Sequence, residues 1–370
     1  MSPRVTLRTD ASLDIGSGHV MRCLTLADVL TAQGAECRFI CREHPGHMIE
    51  HIHNKGYRVD ILPICTEITG QEGKSAYASE SFYAQWLGCP WEEDALQTKA
   101  VFSEQIPDWL IVDHYALDKR WEMSLQGCYK KLMVIDDLAN RPHVCNLLLD
   151  QNLGRDTNDY DELVPEHCQR LIGPQYALLR PVFAALRDYS LQRRQSAQLK
   201  TLLITMGGVD LDNASSMVLE ALRTCTLPSD CKIIVVMGER SPWLEQVRAV
   251  AKTMPCATEV RVNIADMAQV MANSDLAIGA AGGTSWERCC LGLPSLLVIL
   301  ANNQIAGANA LEKCGAALIL GTPEDLSRSL TGATSTLLTS REMWEMVTAA
   351  SEVTDGHGGV RVAKAMGLFV

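Results

Sequence analysis

The sequence predicts an α/β protein of two doubly wound domains, each a parallel sheet flanked by helices, with the two domains facing a central cleft. Three observations carry that prediction. Apolar runs of strand length alternate with helical stretches along the chain, which is the order of repeated βαβ units. After a polar stretch, LQRRQSAQLK, the alternation restarts as a second series. At 370 residues the chain is also longer than one hydrophobic core ordinarily serves, so two cores are expected.

The first series runs through VTLRTD (5–10), ECRFICR (36–42), RVDILPI (58–64), DWLIVDH (108–114), KLMVIDD (131–137) and NLLLDQN (146–152). Several of these strands end in a polar residue: Asp10, His114, Asp137 and Asp150. Ligands of an open parallel sheet sit outside the carboxyl ends of its strands, so these endings point to one functional edge. The second series is TLLITMGG (201–208), CKIIVVMG (231–238), ATEVRVN (257–263), DLAIGAA (275–281), PSLLVIL (294–300) and AALILG (316–321). MVTAA and RVAKAM, beyond about residue 340, read as terminal helices. The expected division is an N-terminal domain over 1–180, a linker over 181–198, a C-terminal domain over 199–345 and terminal helices over 346–370. Residues 66–105, rich in Gly, Ser and Trp, read as an insertion to which the sequence assigns no role.

A composition of 47% hydrophobic and 21% charged residues belongs to a folded chain, and a net charge of -11 argues against a nucleic-acid surface. The start, MSPRVTLRTD, lacks the apolar core of an export signal, and no run approaches the roughly 18 apolar residues of a membrane span. A cytoplasmic chain with no membrane or nucleic-acid partner is expected. The 14 cysteines never form C-x-x-C and read as reduced, buried thiols. His44, His47, His51 and His53 crowd together, and His47 with His51 would share a helix face. No carboxylate or cysteine motif completes a metal site there, so no metal is expected.

In RTDASLDIGSGHVMRCLTLADVLTAQG the first strand ends at Asp10, Gly16 and Gly18 allow a tight turn, and Val20, Leu24, Ala27 and Leu30 mark one helix face. His19 falls at the helix start, where unpaired N–H groups favour negative charge and disfavour a proton on the imidazole. Two readings stand. His19 is either a catalytic base, with Asp10 as the orienting partner, or a structural histidine beside a phosphate. A dinucleotide turn fails in detail, because position 21 is Met where a third glycine belongs and a P-loop lysine is absent. Arg8, Arg22 and Arg288 are open between ligand contact and structural pairing. Asp136 and Asp137 are strand neighbours pointing to opposite faces, so at most one faces the cleft and they form no glycosidase-type couple.

The second series holds MGGVDLDNAS (206–215), with Gly207 and Gly208, and IGAAGGTSWERCCLGLPSLLVILANNQ (278–304). Gly282 and Gly283 let backbone approach a ligand, and Thr284 and Ser285 add hydroxyls at a helix start, the parts of a phosphate cradle. Glu287 is either a capping-box carboxylate or an acceptor for a ribose diol. Trp286 reads as packing.

Together these segments resemble the UDP-2,4-diacetamido-2,4,6-trideoxy-β-L-altropyranose hydrolases of pseudaminic acid biosynthesis. The likeness runs through RTDASLDIGSGHVMRCLTLA, LIVDHYALDKRWE, MVIDDLANRPHVCNLLLDQNLGR, YALLRPVF, MGGVD and AIGAAGGTSWERCCLGLPSLLVILANNQ, most of residues 5–310. That family is similar to the GT-B glycosyltransferases, including the N-acetylglucosaminyl transferase of peptidoglycan synthesis, with water as its acceptor. The resemblance implies a GT-B-like pair of Rossmann-type domains, the first holding sugar and catalytic groups and the second holding UDP. It implies cleavage without metal or cofactor, in which water attacks the anomeric carbon, UDP leaves and the configuration inverts. On that pattern His19 is the general base, while Tyr115 in VDHY and Asn303 in ANNQ line the sugar site. Gly16, Gly18, Arg22, Asn302 and Gln304 would join them around the substrate. Gly207, Gly208, Gly282, Gly283, Thr284 and Ser285 would meet the diphosphate, and Glu287 the ribose. The UDP-sugar is the one partner implied, for a monomer serving flagellin or surface glycans. A transferase using a UDP-sugar donor on the same scaffold is the alternative.

Overall fold

Short runs rich in Val, Ile and Leu form the strands, and the stretches between them form the helices, in a computed structural model that describes residues 2–64, 83–102, 106–196, 198–239, 241–337 and 340–368. The chain divides into two compact units, Met1–Leu178 with Gly359–Val370, and Leu179–Gly358. Each is built on one parallel sheet.

The first unit contains β1 (Arg4–Thr9), α1 (Gly18–Ala32), β2 (Glu36–Arg42), α2 (Ile49–Asn54), β3 (Arg58–Leu62), α3 (Trp91–Val101) and β4 (Trp109–Asp113). It continues with α4 (Lys119–Ser124), β5 (Lys131–Ile135), β6 (Leu147–Asp150) and β7 (Gln169–Ile172). Its sheet has seven strands in the order β3-β2-β1-β4-β5-β6-β7. All the expected strands are present, and β7 is additional. Its sequence, QRLI, is half polar because it forms the sheet edge, pairing among the described residues with β6 alone.

Side-chain alternation sorts the first sheet into two cores. Val5, Leu7, Ile111, Met133, Ile135, Leu147 and Leu149 face one side, where they pack with Leu24, Leu26, Ala27 and Leu30 of α1. Leu110, Val112, Leu132, Val134 and Leu148 face the other, with Trp121 and Tyr160. Register places Leu7 beside Phe39 on one neighbour and Ile111 on the other, so β1 lies between two apolar strands.

Of the expected insertion, residues 66–82 and 103–105 lie outside the described residues. Residues 83–102 form a 3₁₀ turn over Ala84–Leu87 and then α3. Leu87, Cys89, Ala95 and Phe102 enter the core that holds Leu110 and Trp121, so this part is integral to the first unit.

The second unit contains α5 (Pro181–Arg193), β8 (Thr201–Thr205), α6 (Ala214–Leu222), β9 (Lys232–Met237), α7 (Leu244–Lys252), β10 (Thr258–Val262), α8 (Met267–Asn273), β11 (Leu276–Ala280) and α9 (Thr284–Cys290). It continues with β12 (Ser295–Val298), α10 (Ile305–Lys313), β13 (Ala317–Gly321), α11 (Leu326–Leu337) and α12 (Ser340–Val353). Its six strands run in the order β10-β9-β8-β11-β12-β13. Both sheets therefore have the doubly wound order, reversing once beside the first strand of each unit.

Two expected boundaries are corrected. The stretch from 181 is mostly helix rather than linker, because its arginines serve the carbonyl ends of other helices. Arg187 donates to Cys290 O at 2.6 Å and Ser351 O at 2.6 Å, and Arg194 donates to Met271 O at 2.9 Å and Ser274 O at 2.7 Å. The terminal stretch 346–370 is likewise not one body. α12 belongs to the second unit, whereas the last helix, α13 (Gly358–Ala365), puts Val362 and Ala363, with Met366 beyond it, into the first unit's core.

Candidate active site

The strand order of the first unit reverses between β1 and β4, and the polar groups following these strands meet there. The loop after β1 is turned by Ser12, whose Oγ accepts from the backbone N–H of Asp14 and Ile15 and whose carbonyl accepts from Gly16. This turn delivers Gly18 as the first residue of α1 and His19 as the second. Arg22 lies three residues on and so shares a helix face with His19.

His19 Nδ1 lies 2.6 Å from Asp113 Oδ1. Arg22 grips the same carboxylate with both arms of its fork, Nε to Oδ2 and Nη2 to Oδ1, each at 2.6 Å. Burial pushes the Asp113 carboxyl up, but Arg22 and His19 outweigh it and hold the group well below the usual carboxylate range. An ionised Asp113 can only accept, so in the neutral form of the ring the proton belongs on Nδ1 and the lone pair on Nε2. Arg22 also donates from Nη1 to Asp137 Oδ2 at 2.6 Å, and the Tyr115 hydroxyl donates to that same oxygen at 2.6 Å. The Tyr115 ring stands edge-on to His19 with 4.6 Å between centroids. Burial and then Asp137 push its phenol far up, so it stays protonated.

Asp10 is not the partner of His19, contrary to expectation. It accepts from Arg8 Nη1 at 2.6 Å and from the Arg42 N–H at 2.7 Å, with His114 Nε2 and His44 Nε2 at 3.4 and 3.6 Å from its other oxygen. Strand parity explains the exchange. Arg8 and Asp10 continue the face of β1 opposite α1, whereas Asp113 follows Ile111 on the face that α1 covers. Burial pushes His114 down to about 3, so it stands neutral beside Asp10. Asp136 and Asp137 diverge as expected of strand neighbours: Asp136 is buried on Arg141 and Tyr160, and only Asp137 joins the His19 group. Arg8 is a structural pair with Asp10 and Asp94.

In the second unit the order reverses between β8 and β11, and the glycine segments follow those two strands. Gly207 and Gly208 are exposed directly after β8 and Met206. After β11, Gly282, Gly283 and Thr284 lead into α9, with Thr284 half-buried. Ser285 is corrected: it is 2% exposed, and its Oγ accepts from Arg288 Nη2 at 2.9 Å, so its hydroxyl is turned inward. Arg288 also donates to Ala280 O at 2.9 Å, which makes it a structural tie for the whole turn. Gly279 is required beneath it, since a Cβ there would lie 2.5 Å from Arg288 Nη1 and 2.9 Å from Thr205 O. Trp286 is buried packing.

Glu287 makes no capping box, for the cap of α9 is Gly283 and carries no side-chain bond. Its carboxylate lies 3.7 Å from Arg180 Nη2, too long for a hydrogen bond, and burial pushes it up to about 7 against the pull of Arg180 and Arg288. Asn302, Asn303 and Gln304 form a 3₁₀ turn after β12. Gln304 Oε1 accepts from the Leu300 N–H at 3.0 Å, and its Nε2 stands beside Gly282. Both asparagines are exposed.

The structure thus gathers His19, Arg22 and Tyr115 in the first unit, and Gly282 with Gln304 in the second. Asp113 is the residue that sequence reasoning missed as a site group, and Asp137 it placed at the functional edge without a role. Parity with Ile111 is the signal that could have found Asp113. Among the described residues no group of three or more His, Cys, Asp or Glu is arranged to hold a metal ion, and no helix is long and apolar enough to cross a membrane.

Residues 201–358 match the model of the glycosyltransferase family 28 C-terminal domain. Among solved structures, Acinetobacter baumannii MurG superposes with a TM-score of 0.71 at 17% identity over 99% of both chains. The UDP-GlcNAc 2-epimerase of Neisseria meningitidis bound to UDP-GlcNAc does so with 0.58 at 12% identity, again over 99% of each. The class is therefore a two-domain chain of GT-B type.

Within that class the likeness to the hydrolase family extends through both units. The chain is 26% identical over 314 residues to the UDP-2,4-diacetamido-2,4,6-trideoxy-beta-L-altropyranose hydrolase of Campylobacter jejuni, covering 84% of this chain and 97% of that one. It is also 34% identical over 153 residues to the spore coat polysaccharide biosynthesis protein SpsG of Bacillus subtilis, covering 41% of this chain and 44% of the relative. An uncharacterized protein of Methanocaldococcus jannaschii is 24% identical over 309 residues, and the match covers 82% of this chain and 56% of that longer relative.

Proposed function

We propose that this chain is a UDP-sugar-processing enzyme that hydrolyses a UDP-linked 2,4-diacetamido-2,4,6-trideoxy sugar to UDP and free sugar, as pseudaminic acid biosynthesis requires. The observation that carries the reading is the His19–Asp113 pair, 2.6 Å apart at the switch point of the first sheet. Its buried anion fixes the proton on Nδ1 and leaves Nε2 to accept one from water. In this reading water loses that proton to Nε2 as its oxygen bonds to the anomeric carbon, while the bond to the UDP oxygen breaks. A single displacement enters opposite the leaving group and inverts the configuration.

UDP leaves as a stabilised anion and needs electrostatic support more than protonation. Backbone at Gly207, Gly208, Gly282 and Gly283, with the Thr284 hydroxyl, is assigned to that task. Glu287 is assigned to the ribose, and Asn302, Asn303 and Gln304 to the sugar side, with Tyr115. Arg22 is assigned to positioning, since Nε, Nη1 and Nη2 each already donate to Asp113 or Asp137. No metal or cofactor enters the reading, and the substrate is taken to be met by a monomer in the cytoplasm.

Incubating purified protein with the UDP-sugar and no acceptor tests the reading. UDP and free sugar should appear together, with the inverted anomer first in the NMR time course. The match to a glycosyltransferase C-terminal domain favours one rival, transfer to an acceptor, and UDP release only on adding an acceptor would establish it instead.

The Glu287 carboxyl at about 7 gives a pH prediction. As a carboxylate it accepts from both ribose hydroxyls, and as an acid it keeps one acceptor oxygen, loses its charge and turns the other oxygen into a donor. UDP affinity should therefore be full above neutrality and fall toward about tenfold per pH unit below it. Calorimetric titration with UDP across neutrality measures this slope, and Glu287→Gln should flatten it.

A further inference from the structure

We propose that Tyr83 and Trp86 form an aromatic wall beside His19 that takes the apolar side of the bound sugar, a C–H face or a deoxy or acyl methyl group. The proposal rests on the reading of this chain as a UDP-sugar enzyme and names how that site selects its sugar. Both residues lie in the stretch to which the sequence assigns no role.

Four rings cluster here. Trp86 stacks on Tyr115 at 23° with 5.7 Å between centroids, and Tyr83 stands edge-on to Trp86 at 4.7 Å and to Tyr115 at 5.1 Å. The Trp86 and His19 centroids are 6.5 Å apart. Tyr115 and His19 are buried, whereas Tyr83 and Trp86 are only half-buried. Among the described residues, the ring surface that a ligand can reach beside the base therefore belongs to Tyr83 and Trp86. Neither carries a charge, and the hydroxyl of Tyr115 behind them is taken by Asp137. Such a wall offers a large apolar ring area to methyl and C–H groups, with polar atoms only at the Tyr83 hydroxyl and the Trp86 indole N–H.

The wall is held from below. Leu87 and Cys89 are buried in the core, and a Cβ on Gly88, at φ +72°, would lie 2.7 Å from His44 Cε1, so the turn after Trp86 admits only glycine. Asp94 on α3 then fastens the segment to Arg8 at 2.6 Å, Arg42 at 2.7 Å and the Trp121 indole at 2.9 Å. Fixed aromatic area costs little entropy when a ligand arrives.

Dissociation constants for UDP, UDP-N-acetylglucosamine and its 6-deoxy analogue test the proposal on the full chain. Wild type should prefer the 6-deoxy sugar, and Trp86→Ala should lose that preference by about tenfold while UDP alone binds as before. Trp86→Phe should keep most of it. Should Trp86→Ala fail to fold by circular dichroism, Trp86→Gln, which is ring-less and polar, is read the same way. Equal sugar preference in wild type and the ring-less variant overturns the wall. Failure of wild type to bind UDP at all overturns the nucleotide-sugar reading and the wall with it.

Discussion

Hydrolysis of the UDP-sugar by His19→Asn is expected to be about 10²–10⁴-fold slower than by wild type, with UDP affinity unchanged. Asparagine occupies similar space and can still bond to Asp113, but it has no lone-pair nitrogen basic enough to take a proton from water. Asp113→Asn should approach the same loss by another route. Its carboxamide can donate to Nδ1, which places the imidazole proton on Nε2 and spends the lone pair that the reaction needs. Single-turnover rates measure both effects, with UDP titration as the control for folding and nucleotide binding. Wild-type rates in His19→Asn would remove general-base catalysis by this residue from the mechanism.

Asp94→Ala is expected to destabilise the first unit by about 3–5 kcal/mol, because it removes one partner of a buried charge network and leaves the others in place. Arg8 and Arg42 are fully buried, and both lean on Asp94. Arg8 retains Asp10 and Arg42 retains the Pro63 carbonyl, but neither replaces the lost carboxylate. Urea unfolding of wild type and variant measures the difference as a shift in midpoint. The pH dependence has a defined sign. Burial pushes the Asp94 carboxyl up, and Arg8 and Arg42 more than reverse it, so its folded value lies below the ordinary one. Its stabilisation is present above the unfolded carboxylate value, near 4, and is lost as pH falls through the folded value. Asp94→Ala should thus show a shallower loss of stability on acidification, and an unchanged slope would count against the network.

The alternation of apolar runs made both sheets legible, since period and length alone identify strands between helices. The polar edge strand β7 escaped because half of QRLI faces away from any core. The arginine-rich stretch of α5 looked like a linker for a related reason: its polarity serves buried carbonyls, and sequence does not tell a solvated arginine from one that caps a distant helix. At the site, the histidine and its helix were readable from the glycine turn, but its partner was not. Asp10 is nine residues from His19 and Asp113 is ninety-four away, and only the strand order brings the farther one close. Asp94 shows the same limit, for it meets Arg8 across eighty-six residues from inside a stretch with no motif.

The return of α13 to the first unit separates the order of synthesis from the order of folding. Val362, Ala363 and Met366 complete a core whose other members lie before residue 180, and Gly359 packs so tightly that a Cβ would come 3.1 Å from Val29. On the ribosome the first sheet is made first, yet it must wait with that face uncovered while the whole second unit emerges. The second unit lacks no such late segment and can close before its neighbour is finished. An isolated N-terminal fragment would inherit the same bare patch, so the base and its aromatic surroundings depend for their footing on a helix made after the whole second unit.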